Sequence, residues 1–249
     1  MPFQTGSIAI HDDGQHTGSA KRATVGGVAA ISSAGRLVNS LGGAQYNGYV
    51  RSFTRANGVA RNTSLAAAWT SRTSASAQLW RSVCWSPELG IFVAVANNGA
   101  VGVQVMTSPN GITWTSRTSA SAQLWMSVVW SIELGIFVAV AYDGAVDVQV
   151  MTSPNGITWT SRTSASARTW ISVCWSPELG IFVAVAETGA VGVQVMTSPD
   201  GITWTSRTAA SEQQWTSVVW SPELGILVAV ARNGVVGVQV MTNSCGRVF

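Results

Sequence analysis

From Trp80 onward the chain is written in short apolar runs broken at regular distances by turn-forming residues. The run from Trp80 to Trp85 closes at Ser86-Pro87-Glu88-Leu89-Gly90, where proline suits the second position of a type I turn. Ile91 to Ala96 is apolar on both faces, as a strand covered from both sides requires, and ends at the hairpin signal Asn97-Asn98-Gly99. Val101 to Met106 runs into Ser108-Pro109-Asn110-Gly111, and Ile112 to Arg117 is a fourth run. Four short antiparallel strands joined by tight turns predict a meander sheet.

The pattern recurs every 45 residues. Trp69, Trp114, Trp159 and Trp204 share one repeat position, Trp80, Trp125, Trp170 and Trp215 a second, and Trp85, Trp130, Trp175 and Trp220 a third; together they are all 12 tryptophans. The units are 70–114, 115–159, 160–204 and 205–249, and Phe249 takes the slot where Trp would recur. A single sheet of this composition leaves apolar surface on both faces, and stacking copies buries it, either in a closed ring or in an open stack. Units of about 40–50 residues with four strands and a recurring Trp favour the ring. The expected fold is all-β: a four-bladed β-propeller of 45-residue repeats over 69–249, with an extended N-terminal arm over 1–68. The last unit lacks a full fourth strand, and an orphan one, Ala68 to Thr73, precedes the first unit. Pairing of that strand with the last blade, or with another chain, is the expected use for it.

Ser108-Pro109-Asn110-Gly111-Ile112-Thr113-Trp114, with its counterparts at 153–159 and 198–204, resembles the Asp-box hairpin of sialidases and related propellers. Gly, Thr and Trp stand one residue closer to the Ser than in that family, and two of the three copies carry Asn for Asp. The resemblance implies a turn held by Ser and Asn/Asp side chains, with Gly at positive φ and Trp packed between blades. The whole unit is similar to arrays in tailed-bacteriophage proteins, tail-fibre and other virion components among them. That similarity implies a virion structural protein, fibre or decoration component, made in a host cytoplasm and carried on the particle.

Composition agrees with a rigid assembled particle. Apolar residues are 47% of the chain, ample for a core, while 10% are charged, against about 25% in an average soluble domain. The leader holds Lys21, Arg22, Arg36, Arg51, Arg55 and Arg61 against Asp12 and Asp13, which leaves the repeats close to neutral. A basic leader fits an acidic partner or nucleic acid, and equally a solvated tail; specific nucleic-acid recognition is not expected. The first residues do not read as a secretory signal, and no apolar run approaches the roughly 20 residues of a membrane span. Cys84 and Cys174 share a repeat position with Val129 and Val219, which marks a small buried apolar slot.

Catalysis is not expected. Glu88, Glu133, Glu178 and Glu223 recur in every unit, as do Arg72, Arg117, Arg162 and Arg207. A glycosidase needs two carboxylates in distinct environments, whereas these residues obey the repeat. The cluster His11-Asp12-Asp13-Gly14-Gln15-His16 has metal-ligand residue types, but in a Gly-rich leader it reads as a solvated loop, and no metal or cofactor is expected.

The units differ most at the second hairpin tip, where Asn97-Asn98, Tyr142-Asp143, Glu187-Thr188 and Arg232-Asn233 stand, and in the residues leading into the first strand: Gln78 to Arg81, Gln123 to Met126, Arg168 to Ile171 and Gln213 to Thr216. Such positions carry recognition or have simply escaped constraint. The tips are the candidate binding residues, with host-surface glycans as candidate ligands; a lectin-like module with up to four equivalent sites is the alternative to the virion reading. Homo-oligomerisation and docking to other virion proteins are assigned to residues 1–68, and membrane insertion is not expected.

Overall fold

A computed structural model describes residues 69–234 and 237–244, together with the backbone of three short strands, β1 (Ala29–Ile31), β2 (Arg36–Asn39) and β3 (Gln45–Tyr49). The chain divides into two compact units, 1–70 and 71–249. In the first, β1, β2 and β3 pair in order as an antiparallel sheet. Of the segment expected to be an extended arm, the structure describes this strand pairing between 29 and 49; the remainder of 1–68, the His11–His16 cluster included, lies outside the described residues.

The second unit is all-β and holds four propeller blades. Blade 1 is β4 (Trp80–Ser86), β5 (Ile91–Ala96), β6 (Val105–Ser108) and β7 (Thr115–Arg117). Blade 2 is β8 (Trp125–Ser131), β9 (Ile136–Ala141), β10 (Val150–Ser153) and β11 (Thr160–Arg162); blade 3 is β12 (Trp170–Ser176), β13 (Ile181–Ala186), β14 (Val195–Ser198) and β15 (Thr205–Arg207). In blade 4, β16 (Trp215–Ser221), β17 (Ile226–Ala231) and β18 (Val240–Ser244) form a three-stranded sheet among the described residues. Every blade is an antiparallel meander. The third run differs from the sequence pattern: Val101–Val103 is a 3-10 turn and the strand starts at Val105, because Gln104 takes an αR conformation. The fourth strand is shortened to Thr115–Arg117 because Asn110 to Thr113 are spent in the Asp-box-like turn.

Blades pack face to face in sequence, β4 on β8, β8 on β12 and β12 on β16. Each junction repeats one arrangement. Val93, Val95 and Val105 on the trailing face of blade 1 meet Trp125, Val128, Phe137, Met151 and Trp159 on the leading face of blade 2; Val138, Val140 and Val150 meet Trp170, Val173, Phe182, Met196 and Trp204 at the next. Polar bonds recur with them. Val128 N–H donates to Ser82 Oγ, Val173 N–H to Ser127 Oγ and Val218 N–H to Ser172 Oγ, each at 3.2 Å.

Closure through the orphan strand is not what the structure shows. Residues 69–74 are outside any strand and Trp69 is 95% exposed. Among the described residues the first and last blades do not pack on one another as the internal neighbours do.

Candidate binding cleft

The residues that repeat are spent on the scaffold. In the Asp-box-like turn Ser108 Oγ accepts from Gly111 N–H (2.8 Å), and Asn110 Oδ1 accepts from the N–H groups of Ile112 (2.9 Å) and Thr113 (3.0 Å). Trp159 Nε1–H closes the next copy on the Gly156 carbonyl at 3.1 Å. Asp200 replaces the Asn in the third copy: burial raises its pKa, but donors from Thr203, Ile202 and Ser198 outweigh it and hold the carboxyl below its usual range.

The repeated charges are also bound. Glu88, Glu133 and Glu178 accept from the indole N–H groups of Trp130, Trp175 and Trp220 at 2.7, 2.6 and 2.5 Å, each across a blade junction. Arg117, Arg162 and Arg207 donate through Nε to Thr107, Thr152 and Thr197 on the neighbouring strand. These contacts give three of the four repeated glutamates and three of the four repeated arginines a structural task. Cys84 and Cys174 lie half-buried at the junctions, where burial pushes their thiols up to about 12.

The variable residues behave differently, because four of them come together. Asn97, Tyr142, Glu187 and Arg232, the first tip residue of each unit, line one cleft of about 340 Å³ with Arg81, Met126, Ile171 and Thr216. Two local features build it. Each inner strand carries a bulge at its second residue, so that Trp80 pairs with Ala96 but Ser82 with Val95, and likewise in the other three blades. The bulged residue is Arg81, Met126, Ile171 or Thr216, and a bulge re-aims the side chain it carries. The first tip residue is then tied by its N–H to the segment leading into the strand, Tyr142 to the Leu124 carbonyl (2.8 Å) and Glu187 to that of Thr169 (3.0 Å).

The eight tip residues thus divide into two groups. Asn98 Oδ1, Asp143 Oδ1 and Asn233 Oδ1 accept from the N–H groups of Leu79 (2.6 Å), Leu124 (2.8 Å) and Gln214 (3.0 Å), and Thr188 Oγ1 accepts from Thr169 at 3.4 Å. These four hold the loop. Of the eight tip residues, only the first of each pair lines the cleft. The bulge residues belong with them, and the structure marks them by packing: Trp125 and Val128, three residues apart across the bulge, face the same junction core.

The cleft is polar at its ends and apolar between. At the blade 1 end, Asn97 with its amide oxygen toward Arg81 accepts from Nε and Nη2 at 2.8 Å each and donates to the Leu79 carbonyl at 3.2 Å. At the other end, between the neighbouring blades 3 and 4, Arg232 Nη2 pairs with Glu187 Oε1 at 2.8 Å; Glu187 is buried whereas the Arg232 side chain is 62% exposed. Met126, Ile171, Leu124 and the ring of Tyr142 lie among these groups. Such a surface offers an aromatic face, hydroxyls, one carboxylate and two guanidinium groups.

A larger hollow of about 610 Å³ sits between blades 3 and 4 against Val183, Val218, Leu227 and Met241. Leu227 stands there where Phe137 and Phe182 stand at the preceding junctions, and Phe249, the counterpart of Trp159 and Trp204, lies outside the described residues. Among the described residues no group of three or more His, Cys, Asp or Glu side chains gathers to hold a metal, and no helix is long and apolar enough to cross a membrane.

No protein-family model matches the chain, and no curated protein does. Solved structures match over most of the blades. YCF48 from Cyanidioschyzon merolae is 16% identical with a TM-score of 0.48, the alignment covering 68% of this chain and 54% of that one. The β-propeller domain of Cps50 (Swd1) from Myceliophteria thermophila is 12% identical with a TM-score of 0.45, over 62% and 51%. The GH74 enzyme of Niastella koreensis is 15% identical with a TM-score of 0.48, over 64% and 28%. The chain therefore spans about half or less of the length of these structures, and the propeller assignment rests on its own blades.

Proposed function

We propose that the chain is a non-enzymatic structural protein of a bacteriophage virion, a fibre or decoration component whose blades present the rim cleft to a host surface or a neighbouring subunit. The convergence of four variable positions on one cleft carries this reading. The positions that repeat build the scaffold, while the side chains free to differ between units meet where a ligand can touch all four. The repeated carboxylates support a non-catalytic role, since Glu88, Glu133 and Glu178 are engaged by indole donors. Antibody against the purified chain tests the virion part: labelling of intact purified particles supports it, and signal confined to the soluble lysate overturns it.

A lectin-like module is the second reading, favoured by Tyr142 beside Arg81, Arg232 and Glu187 in one cleft. A composite cleft gives one ligand per chain, in place of the four equivalent sites the repeat pattern suggests. Hydrolysis of a polysaccharide by the purified chain, abolished by one carboxylate substitution, would overturn both readings.

A further inference from the structure

The two ends of the blade array are the two halves of the junction that the array uses internally. On blade 1, Val83 is 60% and Trp85 41% exposed, whereas their counterparts Val128, Val173 and Val218 are 5 to 7% exposed and Trp220 9%. On blade 4, Val230 is 42% and Val240 59% exposed, whereas Val95, Val140, Val185, Val105 and Val150 are at 0%. Half-made polar bonds stand beside them. Among the described residues the indole of Trp85 lacks the carboxylate that Trp130, Trp175 and Trp220 each find, and Glu223 lacks the indole that Glu88, Glu133 and Glu178 find. Among the described residues Ser217 Oγ and Val83 N–H do not make the serine bond that recurs at each internal junction.

We infer that the leading face of blade 1 takes the trailing face of blade 4 from a second copy of this chain, and that two copies close one ring of eight blades. The occupant follows from the interface already present, since each exposed face has the residues of faces that are covered inside the chain. A heterologous junction repeated around an axis closes when the rotation allows. Propeller rings hold about 4–8 blades, so two copies fit and three do not. Strand pairing fits the same arrangement: β14 pairs with β15 as Val195 with Arg207, Met196 with Ser206 and Thr197 with Thr205. The unpaired outer edge of β18 offers Val240, Met241 and Thr242 in that register, and Thr70, Ser71 and Arg72, exposed and outside any strand, repeat the Thr-Ser-Arg sequence of β15.

Light scattering on the full chain, in wild type and in the Val83→Asp and Val240→Asp variants, tests this. Wild type is expected at twice the 26.1 kDa chain mass. Each variant is expected at the monomer mass with an unchanged circular dichroism spectrum, and mixing the two is expected to restore association through the one junction both leave intact. A wild-type monomer overturns the inference, including the case in which Val83→Asp lowers Tm because a segment of the same chain covers that face. A dimer that survives both substitutions places the contact elsewhere and overturns it, as does an open series of larger assemblies.

Discussion

Gln149→Leu probes how the scaffold positions the cleft. Gln149 is 2% exposed; its Nε2 donates to the Arg168 carbonyl at 2.5 Å and its Oε1 accepts from Arg168 N–H at 3.2 Å and Ser164 Oγ at 3.1 Å. Leucine is close in volume, so the cavity contribution is small. Ser164 keeps its bonds to the carbonyls of Val146 and Ser166, but both backbone groups of Arg168 lose their side-chain partner. A buried polar group left unpaired costs about 1–3 kcal/mol, so for two such groups the loss is about 2–6 kcal/mol. For a domain of this size each kcal/mol lowers Tm by roughly 2–4 °C, so a fall of at least about 4 °C is expected in a thermal melt followed by tryptophan fluorescence. Arg168 leads into Ile171, so the same variant should weaken any ligand bound in the cleft. A fall below about 2 °C would refute the reasoning, because the glutamine would then not be holding the segment.

Gly156→Ala should destabilise by about 2–5 kcal/mol in denaturant titration: a left-handed backbone costs a side chain about 1–2 kcal/mol, and a Cβ there would stand 2.8 Å from Val93 Cγ2 and 3.0 Å from Ile91 Cδ1, an overpacking of about 1–3 kcal/mol. In a Cys245→Ser variant, Cys84 and Cys174 should resist maleimide at pH 8 until the protein unfolds. Because their folded pKa is raised to about 12, above the unfolded value, the stability they contribute is complete below about pH 9 and is lost as pH rises toward 12. Asp143→Ala should cost about 0.5–1.5 kcal/mol in a thermal melt through the lost bond to Leu124 N–H, with a smaller effect on a cleft ligand than Tyr142→Ala.

The repeat made most of the fold legible. Tryptophan spacing, turn residues and apolar runs locate every strand that starts a blade, because these residues do the same work in each copy. What the pattern hides is where one copy departs from simple alternation. The bulge at Arg81, Met126, Ile171 and Thr216 adds a residue without any Gly or Pro to announce it. The 3-10 turn at Val101 reads as strand because Val, Gly and Val alternate as a strand does. Variation between units pointed to the second hairpin tips, but it does not distinguish a side chain that lines the cleft, such as Tyr142, from one that braces the loop, such as Asp143; only the structure does.

An array of bacterial surface polysaccharides and glycans, screened with the full chain and with an Arg81→Ala/Tyr142→Ala variant, tests the cleft most directly. Wild type is expected to retain a ligand, at one per chain by calorimetry, and the variant to lose it while keeping a cooperative melt, since Arg81 is exposed and Tyr142 half-buried at the cleft. Equal retention by the variant, or several equivalent ligands on one chain, would contradict recognition by a single composite cleft.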